Sequence, residues 1–160
     1  MTKGNIIIAI LNFLIIVLSN QIFGQNTLPK EILWTTDWSP NGKYIAIGGN
    51  IDTLKIYSEG NLQSYKSFPV KNTITRIKWH PTLNIIAVTT QMSDEKSFIF
   101  NIETNEQIEL IGISTDGARG IDWNYTGDYL AIADNEGQIL IYNIKGKLIR
   151  KFVNENTKSI

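Results

Sequence analysis

The sequence predicts an all-β protein built from three repeated units, each made of four short antiparallel strands. Trp residues recur at intervals of 41 and 44 residues, at Trp38, Trp79 and Trp123. Each Trp is followed eight positions later by an Ala, and each unit then has an apolar segment that ends in an aromatic ring. The Ala positions are Ala46, Ala87 and Ala131, and the rings are Tyr57, Phe100 and Tyr142. A period near 40 residues is typical of stacked or radially repeated units.

The apolar runs inside each unit are short, which favours strands over helices. Residues 44–47, 84–88 and 129–132 are almost continuously apolar, whereas a helix would need about ten residues or more. Turn residues separate the runs, as in Ser39-Pro40-Asn41-Gly42, where Pro supplies a fixed φ and Gly closes a type I turn. Many short strands at even spacing, without helical periodicity, predict an all-β architecture.

These motifs resemble the tryptophan–aspartate (WD) repeat family of β-propellers. Trp38-Ser39-Pro40-Asn41-Gly42 matches the family pattern Trp-Ser-Pro-x-Gly, and the turns after Trp79 and Trp123 match it in part. The family also has an acidic residue between the second and third strands, and the matching positions are Asp52, Asp94 and Glu136. The family's closing Trp-Asp pair and its Gly-His dipeptide are absent from all three units. The resemblance implies three four-stranded β-propeller-type blades, an incomplete propeller, over residues 32–70, 71–112 and 113–152.

A second group of propellers shares the Trp-Ser-Pro-x-Gly pattern. It comprises the Tol-type periplasmic proteins and the prolyl-oligopeptidase-like peptidases. The compact third strands over residues 54–57 and 139–142 favour the WD type. Both groups imply the same blade architecture, so the fold prediction does not depend on the choice.

The first 24 residues have the pattern of a secretory signal peptide. Lys3 precedes an apolar run over residues 6–18, and Gly24 is a small residue placed for cleavage before Gln25. An uncleaved membrane anchor over residues 6–23 is the alternative, although an anchor normally needs about 20 apolar residues. The sequence therefore predicts a periplasmic or secreted protein, with residues 25–31 as a linker and residues 153–160 as a tail.

Composition argues against several kinds of site and partner. The absence of cysteine excludes a disulfide framework and a zinc site built on cysteine. Fifteen basic and fifteen acidic residues give a formal net charge of zero, so nucleic acid and, after signal cleavage, a membrane surface are not expected partners. The one histidine, His80, follows the Trp of the second unit, where we expect it to stabilise a turn. We therefore expect no cofactor, no metal and no catalytic residue.

The predicted function is a non-catalytic protein-interaction scaffold. In the WD family, partner proteins dock on the face at which the first strands begin, and the residues that reach it are Trp34, Arg76 and Arg119. Trp and Arg are enriched among interface hot spots. The alternatives are packing between blades for Trp34, and solvation or ion pairing for the two arginines. The alternative functions are the propeller portion of a larger enzyme such as a peptidase, and a Tol-type periplasmic propeller.

The number of blades bears on association. Closed propellers typically have about four to eight blades, and three units are too few. The outer faces of the first and third units are then expected to be apolar and uncovered. The sequence thus predicts a piece of a longer propeller or, if the chain is full length, a homo-oligomer such as a dimer with six blades.

Overall fold

The computed structural model describes residues 30–91 and 97–153, which form three four-stranded antiparallel sheets. The strands in chain order are β1 Leu33–Trp38, β2 Tyr44–Gly49, β3 Thr53–Ser58, β4 Ser64–Pro69, β5 Ile74–Trp79, β6 Ile85–Thr90, β7 Phe98–Asn101, β8 Gln107–Glu109, β9 Ala118–Trp123, β10 Tyr129–Asp134, β11 Gln138–Asn143 and β12 Leu148–Val153. Each sheet pairs four consecutive strands in order, and we refer to β1–β4, β5–β8 and β9–β12 as blades 1, 2 and 3. The predicted all-β class with three four-stranded blades is confirmed.

Several predicted features fall outside the described residues. They are the signal peptide or anchor, most of the linker, the acidic turn residue Asp94 and the tail beyond Val153. Across residues 30–91 and 97–153, no helix has the length and apolar character needed to cross a bilayer.

The turn after the repeat Trp is closed by the same bond in blades 1 and 3. The Gly42 amide donates to the Ser39 carbonyl at 2.9 Å, and the Gly127 amide donates to the Asn124 carbonyl at 2.9 Å. Both glycines have positive φ angles, of 70° and 82°. Glycine adopts this conformation without a steric penalty, which explains its place at the end of each turn.

Each blade has two distinct faces, which we call the Trp face and the Ala face. In blade 1, Trp38 pairs with Ile45 while Asp37 pairs with Ala46. Because side chains alternate across a strand, Trp38 and Ala46 lie on opposite sides of the sheet. The other two blades have the same register around their Trp and Ala residues.

The hydrophobic core consists of two clusters, one at each junction between blades. At the first junction the Ala face of blade 1 packs on the Trp face of blade 2, through Ala46, Leu54, Ile56, Phe68, Ile77, Trp79, Ile86, Val88, Phe98 and Phe100. At the second junction the Ala face of blade 2 packs on the Trp face of blade 3, through Ala87, Ile99, Trp123, Leu130, Ile132, Leu140 and Tyr142. The same kind of face-to-face contact thus occurs twice in the described part of the chain.

The first strands of the blades form a common inner surface. Strand β1 lies against β5, and β5 lies against β9. The strands of each blade then follow in order away from this surface. Within the described residues, the Trp face of blade 1 and the Ala face of blade 3 have no neighbouring blade. Trp38 is accordingly 51% exposed, whereas Trp79 is 3% and Trp123 is 7% exposed.

Candidate protein-interaction site

A cavity of 420 Å³ lies on the inner surface formed by the first strands. Its lining residues come from β1, β5 and β9, and they are Trp34, Thr35, Thr36, Asp37, Arg76, Ile77, Lys78 and Ile121. Two of the three predicted protein-binding residues, Trp34 and Arg76, therefore line one cavity. The third, Arg119, is not among the lining residues. We call this cavity the inner-strand cavity.

Each first strand has a bulge in its pairing with the second strand. The pairing of β1 with β2 shifts around Trp34, the pairing of β9 with β10 shifts around Arg119, and the corresponding residue of β5 is Thr75. Bulges re-aim side chains and are frequent beside functional sites. Arg76 comes one residue after the bulge, so it does not occupy the place that Trp34 and Arg119 share.

The three bulge residues have different environments. Thr75 is buried, and its hydroxyl bonds to the Ala118 carbonyl of blade 3 and to Thr89 Oγ1. Thr75 therefore joins two blades. Trp34 is 41% exposed and Arg119 is exposed, so both retain surface that a partner can cover.

The Arg76 guanidinium is held at the inner surface by the backbone. Arg76 Nη1 donates to the Thr75 carbonyl at 2.9 Å, and the residue is exposed. A guanidinium carries five N–H donors in a fixed plane, and this bond uses one of them. The geometry suits a partner that offers carboxylate or carbonyl oxygens.

Asp37 fixes the wall of the inner-strand cavity at the first junction. Its Oδ2 accepts a hydrogen bond from the Trp79 amide at 2.7 Å, and its carbonyl accepts one from Trp79 Nε1 at 3.1 Å. At the second junction Trp123 Nε1 donates to the Lys78 carbonyl at 3.3 Å. The repeat Trp residues of blades 2 and 3 therefore make equivalent bonds. Each indole donates to a carbonyl of the preceding blade, at the residue directly before that blade's own repeat Trp.

His80 is a buried structural residue at the second junction. Its Nδ1 accepts hydrogen bonds from the Thr82 amide at 3.2 Å and the Leu83 amide at 3.0 Å. The ring proton is therefore on Nε2, which donates to the Gly127 carbonyl of blade 3 at 3.0 Å. The ring also lies edge-on to Trp123, with centroids 4.9 Å apart. Burial lowers the pKa of His80, which keeps the ring neutral.

The acidic turn residues differ in what they bind. Asp52 adopts a positive φ of 49°, and its carbonyl accepts from the Val70 amide at 2.9 Å. Glu136 Oε2 accepts from Gln138 Nε2 at 3.0 Å. The same turn is organised by Asp134, whose Oδ1 accepts from the Glu136 and Gln138 amides at 3.1 and 2.9 Å. Among the described residues, no group of three or more histidines and carboxylates is placed to hold a metal ion.

The repeat aromatic residues of β7 and β11 support the junctions. Phe100 packs on Phe68 of blade 1, with ring centroids 4.1 Å apart. Tyr142 is fully buried, its hydroxyl donates to the Ile111 carbonyl at 3.0 Å, and burial raises its pKa. Tyr57 lies on the uncovered Trp face of blade 1 and is only half-buried.

Sequence reasoning did not find several residues that connect neighbouring blades. They include Asp37, described above, and Lys66, whose Nζ donates to the Ile102 carbonyl and, at 3.0 Å, to Asn105 Oδ1 of blade 2. An acidic residue directly before the repeat Trp is the signal from which Asp37 could have been found. Lys66 has no such signal, because a lysine in an exposed outer strand is common.

The comparisons with known proteins agree with this geometry at the level of the fold. No protein-family model and no curated protein matches the sequence. The crystal structure of the Myceliophteria thermophila Cps50 (Swd1) β-propeller domain is similar, with a TM-score of 0.68 at 14% sequence identity. The chain has a β-propeller fold. The match covers 77% of this chain and 42% of that chain, so this chain spans less than half of the solved domain. Membership of the WD-repeat family stays a prediction.

Proposed function

We propose that this chain is a non-catalytic protein-interaction scaffold that binds its partner at the inner-strand cavity. The observation that carries the proposal is the presence of Trp34 and Arg76 on neighbouring first strands around one 420 Å³ cavity. Trp and Arg are the residue types whose removal most often weakens protein–protein binding. Both retain exposed surface, which a partner would bury.

The chemistry of the cavity indicates what kind of surface fits it. Trp34 offers an apolar ring, and the Arg76 guanidinium offers donors for oxygen acceptors. The walls between them carry hydroxyl groups from Thr35 and Thr36. A partner loop with an apolar side chain beside a carboxylate would satisfy both anchors.

A non-catalytic role is supported by how the titratable groups are used. Both ring nitrogens of His80 bind backbone groups in a buried place, so the ring is committed to the turn and the junction. Asp37 and Asp134 accept backbone amides in the same way. These bonds engage the one histidine and two of the carboxylates that general acid–base chemistry could otherwise use.

Site-specific photocrosslinking tests the proposed docking site. A photoreactive phenylalanine is placed at Trp34, and at Tyr125 as the control, because Tyr125 is 90% exposed in the turn after Trp123. In extracts of the source cells, we expect position 34 to crosslink a protein that position 125 does not capture. Adding Arg76→Ala should lower that yield. Equal crosslinking from both positions, or no effect of Arg76→Ala, would contradict the proposal.

We further propose that the protein acts outside the cytoplasm. The support is the charged start, the apolar run over residues 6–18 and Gly24 before Gln25. N-terminal sequencing of protein recovered from the periplasm or the medium should then begin at Gln25. Intact Met1 in carbonate-washed membranes would instead support the anchor over residues 6–23.

A further inference from the structure

The two uncovered faces correspond to the two halves of a junction that the chain already makes twice. Each junction joins the Ala face of one blade to the Trp face of the next. Among residues 30–91 and 97–153, nothing covers the Trp face of blade 1 or the Ala face of blade 3. The two uncovered faces are therefore one of each kind, the same two kinds that pack together at each junction.

The uncovered Trp face of blade 1 repeats the closed Trp face of blade 2 with two exceptions. The strand residues of the closed face are Ile77, Trp79, Ile86, Val88, Phe98 and Phe100. The register places Thr36, Trp38, Ile45, Ile47, Lys55 and Tyr57 at the same positions of blade 1. Four of the six positions are apolar or aromatic in both blades, and Thr36 and Lys55 are the exceptions. A cavity of 190 Å³ lined by Ile45, Ile47, Tyr57 and Leu62 marks this face.

The uncovered Ala face of blade 3 repeats the closed Ala face of blade 1. The closed face presents Ala46, Leu54, Ile56 and Phe68. The register places Ala131, Ile139, Ile141 and Phe152 at the same positions. Ile139 and Phe152 are 48% and 52% exposed, so this apolar surface is in contact with solvent.

The charged residues that bind across the first junction also have charged counterparts in blade 3. Asp37, which binds the Trp79 amide, has Asp122 at its place in blade 3. Lys66, which binds the Ile102 carbonyl, has Arg150 at its place in blade 3. The place of Ile102 is taken in blade 1 by Glu59, two residues after the repeat aromatic. Arg150 facing Glu59 would give opposite charges at the contact.

We propose that the Trp face of blade 1 binds the Ala face of blade 3 of a second copy of this chain. The Phe152 ring then packs on Tyr57 of the other copy, as Phe68 packs on Phe100 at 4.1 Å within one chain. Two copies make this contact twice, and the two contacts close a ring of six blades, within the usual range of about four to eight.

Lys55 is the residue whose replacement should strengthen this contact between copies. Its place is taken by Phe98 in blade 2 and by Leu140 in blade 3, both buried. The aliphatic part of a lysine can cover an apolar surface while its ammonium reaches water. Lys55→Leu should therefore tighten the pairing, whereas it has no such effect on a chain that does not pair.

The test uses sedimentation velocity on the full chain over a range of concentrations. Ile47→Glu places a charge on the Trp face, and Ile141→Glu places one on the Ala face; both residues are only half-buried, so neither change enters a closed junction. The control is Ile111→Glu, because Ile111 is 71% exposed and lies outside both faces. Circular dichroism and cooperative unfolding check that each variant folds.

We expect the parent chain and the control to dimerise, and each single variant to lose at least about tenfold in affinity, which is about 1.4 kcal/mol. A mixture of the two variants should recover a dimer, because each supplies the face that the other lacks. A parent chain that stays monomeric would overturn the proposal and point to other blades as the occupants. Unimpaired pairing of either single variant, or no dimer in the mixture, would also overturn it. If Ile47→Glu or Ile141→Glu fails to fold, Lys55→Leu provides the test. A dimer affinity equal to that of the parent chain would then overturn the proposal.

Discussion

The Gly127 carbonyl of blade 3 accepts a hydrogen bond from His80 Nε2 of blade 2 at 3.0 Å. The same ring accepts two backbone amides at Nδ1, so one neutral imidazole holds its own turn and the neighbouring blade. Protonation would place a hydrogen on Nδ1, against the two amide donors. The junction between blades 2 and 3 therefore depends on His80 remaining neutral.

Acid should weaken the fold through His80. Burial lowers the pKa of His80 below the unfolded value of about 6.5, so near that pH the unfolded chain binds more protons than the folded chain. The contribution of His80 to the free energy of unfolding is fully present above about pH 6.5. It decreases as the pH falls toward the pKa of His80 in the folded protein. Urea unfolding between pH 7.5 and 5 should show this decrease.

His80→Asn is the matched control, because Asn124 occupies the same place in blade 3 and binds the Tyr129 amide through Oδ1 at 2.9 Å. His80 is the one histidine of the chain. The Asn variant should therefore lose the pH dependence in this range while keeping the turn. Parallel pH profiles for the two proteins would show that His80 does not titrate on unfolding.

Gly127→Ala should destabilise the protein more than Gly42→Ala does. Both glycines have positive φ, so each substitution costs about 1–2 kcal/mol from backbone strain. A Cβ at Gly127 would also overlap His80 Nε2, whereas a Cβ at Gly42 has no atom within 4 Å. Chemical denaturation should show the extra loss, about 1–3 kcal/mol for overpacking a closed site. Equal losses would mean that the His80 ring moves aside freely.

The Trp and Ala repeats could be predicted from the sequence because they reflect one packing contact used at successive junctions. The position of the bulge could not be predicted, because it depends on how each first strand pairs with the second. Sequence reasoning thus grouped Arg76 with Trp34 and Arg119, although the bulge residue of blade 2 is Thr75. Asp37 was missed for a related reason, since its acceptor role requires Trp79 of the next blade to be in place.

Ala87→Leu should be more harmful than Ala131→Leu. Ala87 is fully buried between blades 2 and 3, so the larger side chain overpacks the junction and costs about 1–3 kcal/mol. Ala131 holds the same position in blade 3 but is only half-buried, on the uncovered Ala face. Thermal unfolding at low protein concentration should lower the midpoint for Ala87→Leu and change it little for Ala131→Leu. The reverse order would mean that the junction beside Ala87 has spare room.

Asp37→Ala should destabilise the first junction, whereas Asp122→Ala should not. Asp37 Oδ2 accepts the Trp79 amide at 2.7 Å, and a hydrogen bond to a charged group contributes about 1.5–3 kcal/mol. Asp122 stands at the same position in blade 3 and is exposed, and its ion pair within the described residues is a 3.7 Å contact with Lys78 Nζ. Urea unfolding of both variants at low protein concentration measures the difference. Asp37→Asn should recover part of the loss, because its side-chain oxygen can still accept the amide. Equal stability of the two alanine variants would show that the Trp79 amide does not need the carboxylate.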